Sequence, residues 1–296
     1  MCNIIKNNSE ILFIYDAKMT NPNGDMDNEN KPRMDHDTFT NLVSDVRLKR
    51  YLRNYFESYL NLPIFITHNA VDAKDRNKQL ADEKKQHKDL IDCRMFGAVL
   101  AEEKANLHLT GPIQFNWGYS LNPVELNESN TITSSFRGGT GIGKDYRVKY
   151  SLIAFSGGIN AHVAKETGLT DNDVKLFDQG MIKAIPLNRT RSKTGQMPRL
   201  YLRVEAMDKG VVMKDFREYL DLHYKTESEN KYMVRNITEI SLDIARLTSY
   251  LKANDRFISR ICYWLDDGLV IDGWDEFSSH FKDKLSPVDS GYEAGS

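Results

Sequence analysis

The sequence predicts an α+β protein, and three observations carry that prediction. Short runs rich in Ile, Phe, Tyr and Val alternate with two segments of helical spacing; turn signals separate them; and two long polar stretches interrupt the pattern without repeating it. At 296 residues, with 40% hydrophobic and 28% charged residues, the chain is long enough for one large domain with insertions or for two. The balance is that of a globular protein rather than a disordered one.

Glu10 to Lys18 (EILFIYDAK) is a short apolar run that predicts a buried strand, stopped by the turn signal Asn21-Pro22-Asn23-Gly24-Asp25. A polar loop continues to Asp37. Asp37 or Thr38 can cap a helix through about Leu60, with Phe39, Leu42, Val43, Val46, Tyr51 and Phe56 near helical spacing and Pro63 beyond its end. Asp72 to Asp92 is polar and reads as an exposed insertion. Asn106 to Leu121 alternates enough for a strand, Asn122 to Arg147 reads as a protruding hairpin with clustered glycines, and Val148 to Ser156 returns as a strand. Thr170 or Asp171 caps a second helix to about Ile185; a basic loop follows, then a strand over Leu200 to Ala206. The order β-α-β-β-α-β is that of a ferredoxin-like (RRM-like) unit. The predicted division is this ferredoxin-like unit over residues 1–63 and 107–206, with the hairpin 122–147 inserted in it. An insertion occupies 64–106, and a helical C-terminal extension, notably Ile237 to Lys252, occupies 207–290.

No apolar run is long enough to cross a bilayer, and the first ten residues lack the apolar centre of a signal peptide, so a cytoplasmic location and no membrane partner are expected. Cys2, Cys93 and Cys262 are odd in number and far apart, which predicts reduced thiols rather than a zinc site or disulfide framework. The formal charge is -2, yet the charge is segregated. Arg189, Arg191, Lys193, Arg199 and Arg203 fall between Pro186 and Arg203 without an acid, and Arg47, Lys49, Arg50 and Arg53 fall together, while acids crowd the last thirty-odd residues. A near-neutral chain built this way can present one basic face.

That face is the candidate functional surface. On the first predicted helix, Arg47 with Arg50, and Lys49 with Arg53, form two neighbouring ridges, with Ser44 one turn before Arg47; such a face suits a line of phosphates, or is simply solvated. Gly138 to Lys144 (GGTGIGK) has phosphate-loop spacing, but Asp145 stands where a hydroxyl should meet magnesium and a strand follows instead of a helix, so a flexible hairpin tip or a mobile clamp laid over nucleic acid is the better reading. Phe136, Tyr146 and Tyr150 are candidates for base stacking or for the core. Candidate catalysis is confined to Asp35 with Asp25 or His36; Asp and Thr residues just before a helix also read as ordinary caps. No cofactor motif stands out.

The stretches Asn21-Pro22-Asn23-Gly24-Asp25, Lys31-Pro32-Arg33-Met34-Asp35 and Val43 to Arg50 resemble the CRISPR-associated Cascade backbone family of type I, in particular its subtype I-B branch, with the I-C branch also similar. Gly143-Lys144, Tyr150 to Ser156, Gly158-Ile159-Asn160-Ala161 and Arg191 to Arg199 extend the resemblance over roughly Glu10 to Glu205. The resemblance implies a ferredoxin-like palm with a finger-like insertion and a thumb hairpin, binding guide (CRISPR) RNA and stacking head to tail along it. Target DNA would be reached through the guide, and the other partners would be further copies and other Cascade subunits. It implies RNA contacts at Asn23, Arg33, Ser44, Arg47, Lys49, Arg50 and Arg53, at Arg137 and Lys144 in the thumb, and at Arg189, Arg191 and Lys193, without catalysis. Related type III subunits cut RNA with an aspartate in an N-terminal loop, for which Asp35 would be the counterpart and the basis of a metal-dependent endoribonuclease alternative.

Overall fold

The computed structural model describes residues 3–102, 105–127, 131–136, 139–225, 233–289 and 291, with side chains described outside 100–108 and 134–142. Its centre is strand β1 (Ser9–Thr20), which is sandwiched between two layers. Ile11, Phe13, Tyr15 and Ala17 face one core and Leu12 and Ile14 the other. Burial on both faces is why EILFIYDAK reads as a continuous apolar run instead of an alternation.

The predicted helix start at Asp37 or Thr38 is corrected. Phe39 takes φ +55°, and Thr40–Val43 forms strand β2. Helix α1 (Asp45–Ser58) begins only after Ser44, whose side chain accepts from Arg47 N. Asp35 instead closes its own turn by accepting from Asp37 N and Thr38 Oγ1, so the acid-threonine signal belongs to a turn and Ser44 is the cap.

The insertion carries α2 (Ala73–Asp82) and α3 (Ile91–Phe96), then a hairpin of β3 (Gly97–Glu102) and β4 (Ala105–Thr110). The single strand expected from Asn106 to Leu121 is broken into β4, β5 (Ile113–Phe115) and β6 (Gly118–Ser120). Gly111 explains the first break: a Cβ there would lie 2.0 Å from the backbone of Phe96. Strands β7 (Thr131–Phe136) and β8 (Gly139–Lys144) pair as an antiparallel hairpin, which accounts for the glycine-rich segment without a phosphate loop. They lead to β9 (Val148–Ile159), α4 (Ala161–Thr167), α5 (Asp171–Leu187) and β10 (Gln196–Ala206). Thr170 and Asp173 form a reciprocal capping box at the start of α5, and Arg94 grips Asp173 through bonds of 2.9 and 2.7 Å, fastening α3 to α5.

The C-terminal third is mixed rather than helical. After β11 (Asp221–Tyr224) the predicted helix over Ile237 to Lys252 divides into strand β12 (Ile240–Asp243) and helix α6 (Ala245–Ala253). β13 (Ile258–Leu265), β14 (Val270–Asp272), α7 (Trp274–His280) and β15 (Leu285–Pro287) follow. Ile240, Ser241 and Leu242 are all buried, so this short strand lacks the alternation that would have marked it in the sequence. The main sheet runs β15-β13-β10-β1-β9-β6-β2, with β5 also on β9. In it β1 lies antiparallel to both β9 (Phe13↔Phe155) and β10 (Phe13↔Tyr201).

Helices α1 and α5 cover one face around Leu52, Phe56, Phe177 and Met181; the C-terminal third covers the other around Phe216, Leu242, Leu247 and Phe277. Cys93 and Cys262 are buried and free, as expected, and Cys2 lies outside the described residues. Among the described residues no helix is long and apolar enough to cross a membrane.

Candidate nucleic-acid interface

The end of β1, the first turn of α1 and the basic loop after α5 converge at one place. Asn23 is buried, and its Oδ1 accepts from both Ser44 N (2.8 Å) and Ser44 Oγ (2.9 Å). The turn is thereby latched to the helix cap. From the other side, Asn21 N donates to Ser192 O (3.0 Å) and Thr20 Oγ1 also donates to Ser192 O. Lys193 Nζ donates to the carbonyls of Asn21 and Pro22.

Two cations are thereby held near enough to oppose each other's charge. The Arg47 guanidinium lies 4.1 Å over the Tyr51 ring, whose hydroxyl donates to Gln196 Oε1 at 3.1 Å. Neither Arg47 nor Lys193 has an ion pair among the described residues. Burial, and then the charge of Arg47, push the Lys193 ammonium down to about 7. Arg47 Nε, Tyr15 Oη and Asn21 Oδ1 are buried without a partner in the same neighbourhood. Of these, Arg47 Nε and Tyr15 Oη are donors; beside two cations without a carboxylate partner they form a site that an anion would complete, whereas Asn21 Oδ1 is an acceptor.

The other predicted residues separate into two groups. Lys49 Nζ binds Asp45 (3.0 Å) and Gln114 Oε1 (2.9 Å), and Arg53 Nε binds the fully buried Asp92 (2.9 Å). Asp92 also accepts from Phe65 N and Ile66 N, and Arg50 donates to Ile66 O at 3.0 Å. This ridge of α1 is turned inward and fastens the inserted segment to the helix; only Arg50 keeps partial exposure. Arg199 and Arg203, part of the same basic run, are likewise consumed internally, by Asp16 and Asp178. By contrast Arg189 is exposed and its side chain donates only to Pro186 O among the described residues, and Arg191 is exposed with Asp145 at 3.0 Å.

Arg33 pairs with Asp25 (3.0 Å) and lies 5.8 Å from the half-exposed Trp117 ring. Lys144, at the hairpin base, reaches Glu29 (2.6 Å), which also accepts from Tyr146 Oη (2.7 Å) and so is held below the usual carboxylate range. Arg137 and the side chain of Phe136 lie outside the described residues. Tyr150 is buried and donates to Asp16.

Asp35, Asp25 and His36 are not drawn together around a common point. The Asp35 carboxyl is engaged by its turn and lowered chiefly by the Thr38 hydroxyl, and Asp25 holds Arg33. Among the described residues no group of three His, Cys, Asp or Glu side chains is placed to hold a metal ion.

Sequence reasoning passed over Arg147, which ties the hairpin base to the track. It donates to Met19 O (2.7 Å), Arg191 O (3.2 Å) and Asp145 (2.9 Å). Its position between Tyr146 and Val148, where the hairpin returns to a strand, carries no periodic signal. Tyr15 and Tyr51 read as core residues and Gln196 as part of the basic loop; only the buried hydroxyls and the Gln196 amide reveal the polar side of the site.

The family model described as CRISPR-associated protein Cas7 matches residues 7–245. A relative described as CRISPR-associated protein Cas7, from Haloferax volcanii, is 31% identical over 286 residues, covering 83% of this chain and 83% of the relative. Among solved structures, a chain of a CRISPR RNA-guided surveillance complex has a similar fold, with TM-score 0.54 at 15% identity over 88% of this chain and 89% of that one. A second, from such a complex before nicking, gives TM-score 0.55 at 13% identity over 94% and 100%.

Proposed function

This chain belongs to the CRISPR-associated protein Cas7 family, and from that premise we propose that it is a guide-RNA-binding backbone subunit of a type I Cascade surveillance complex, repeated head to tail along the RNA. The observation that carries the reading is the uncompensated Arg47–Lys193 pair at the junction of β1, α1 and the basic loop. A phosphate bridging the two cations would relieve their repulsion and satisfy the orphaned donor of Arg47. Arg189, Arg191 and Arg50 extend the track as partly exposed cations, while Asn23 and Ser44 hold its floor in place.

In this reading β1, β5 with β6, β9 and β10, with α1 and α5 on one face, are the ferredoxin-like palm. The spatial order β10-β1-β9-β6 and the antiparallel pairings support it. The β7–β8 hairpin is the thumb, and the segment with α2, α3 and the β3–β4 hairpin is the fingers. Sequence is read by base pairing between guide and target DNA, so the protein supplies phosphate and stacking contacts and no base-reading set of side chains. A head-to-tail contact that does not close on itself extends along the RNA as a helical array.

Binding of a guide-length single-stranded RNA by the purified protein across a salt series tests this. The expected result is affinity that falls steeply with salt, growth of large assemblies by light scattering, and a shallower salt slope in Arg47→Ala by about 0.7 per lost phosphate contact. Weak binding with little salt dependence overturns it. The chemistry is binding alone, so Asp35→Ala leaves RNA intact as in the parent protein; magnesium-dependent cleavage of guide-paired RNA, abolished in Asp35→Ala, would overturn that part.

A further inference from the structure

Glu10 lies near the start of β1 on the face shared with Leu12, away from α1 and α5. A cavity of about 320 Å³ opens over it, walled by Pro112, Val163, Val204, Ala206, Val211 and Met213. The walls are fastened by Asn8, whose Nδ2 donates to the carbonyls of Lys209 (2.8 Å) and Val211 (3.1 Å) while its Oδ1 accepts from Ala161 N (3.0 Å). The cavity is therefore built by long-range contacts between the start of β1, α4 and the loop after β10.

Glu10 differs from the other inward carboxylates. Asp16, Asp92, Asp173 and Asp178 each hold an arginine, and Asp215 holds Arg217 at 2.6 Å. The Glu10 carboxyl has no hydrogen-bond or ion-pair partner among the described residues. Burial, and then the charge of Asp215, raise its carboxyl to about 8. A carboxylate left without a cation in an apolar wall is costly, and a cation brought to it removes that cost.

We propose that this cavity is a socket for a lysine side chain from the finger segment, Lys78 to Lys84, of a neighbouring copy of this chain. The shape fits one long amphipathic side chain: the valines and Met213 take the aliphatic stem and Glu10 takes the ammonium. At about 320 Å³ the space is at the small end of ligand sites, suited to a side chain rather than a cofactor. A head-to-tail interface needs a donor and an acceptor at different places on the same chain. Lys78 and Lys84 are exposed and without an ion pair among the described residues, and so complement the socket in charge. The inference rests on the proposed array for the neighbour's presence.

The test is zero-length carbodiimide cross-linking of assemblies formed on guide-length RNA from an equimolar mixture of ¹⁵N-labelled and unlabelled protein. The expected product is an amide between Glu10 and Lys78 or Lys84 in peptides of mixed isotope. Glu10→Gln removes it and shortens the assemblies seen by light scattering, and Lys78→Glu/Lys84→Glu does the same. Affinity of Glu10→Gln for an RNA long enough for one copy stays within about twofold of the parent, since Glu10 lies off the RNA track. No Glu10 cross-link together with full-length assemblies of Glu10→Gln overturns the socket. So does a cross-link confined to peptides of one isotope, or coupling of Glu10 only to added ethylenediamine. Failure of the short RNA to bind the parent protein would instead overturn the RNA-binding reading itself.

Discussion

Lys193 makes the binding reading testable through protons. Its ammonium is held at about 7 in the free protein because burial and Arg47 oppose its charge, even though two carbonyls accept from it. A phosphate between Lys193 and Arg47 restores the charge, moving the ammonium back toward the ordinary value of about 10.4. The bound state then holds a proton that the free state loses above pH 7, so affinity falls as pH rises. With a free-state value of about 7, half of the sites are charged at pH 7 and about one in a hundred at pH 9. The expected loss is about fifty-fold per site between those pH values, or about 2.3 kcal/mol. Fluorescence anisotropy with an RNA that accommodates one copy, at constant ionic strength from pH 6 to 9, reads this directly. Lys193→Arg keeps its charge throughout and should flatten the profile, and Lys193→Gln should flatten it at a weaker level. A parent profile that is level across this range, or a Lys193→Arg profile as steep as the parent's, would refute the two-cation phosphate site.

Other outcomes follow from individual contacts. Asn23→Ala removes the acceptor for two Ser44 donors and should cost about 2 kcal/mol, seen as a drop of roughly 4 °C in the calorimetric midpoint. Asp92→Ala strands the buried Arg53 guanidinium and two backbone donors; a loss of about 3–5 kcal/mol in urea unfolding is expected, with the first proteolytic cuts in the inserted segment. Glu10 has its carboxyl raised to about 8, so the folded state binds more protons than the unfolded state between the usual carboxylate range and pH 8. Stability contributed by this group is present at low pH and lost as pH rises through that window. Glu10→Gln should therefore gain on the parent protein from pH 4.5 to pH 8.5 in thermal midpoint, and a gap that narrows with pH would contradict the assignment.

The amino-acid sequence by itself determined the central strand, the second helix with its cap narrowed to Thr170 or Asp171, the glycine-rich hairpin and the family. Each depends on residues close together in the chain: a run of apolar side chains, a cap three residues from its partner, or a turn that only certain residues tolerate. Tertiary structure decided the rest. Whether Asp37 or Ser44 starts α1 was settled by Asn23, twenty-one residues before the cap. Whether Ile237 to Lys252 is a helix was settled by a sheet that only forms when β12 finds its neighbours. The basic ridges showed the same division: the sequence places Arg47, Lys49, Arg50 and Arg53 within two turns, but Asp92 and Gln114, far along the chain, decide which charges are spent inside. Lys193 reaches Arg47 only because α5 returns the basic loop to the end of β1. Local periodicity says which face a side chain occupies; it cannot say which opposite charge waits there, and that pairing separates a structural cation from one free to hold a phosphate.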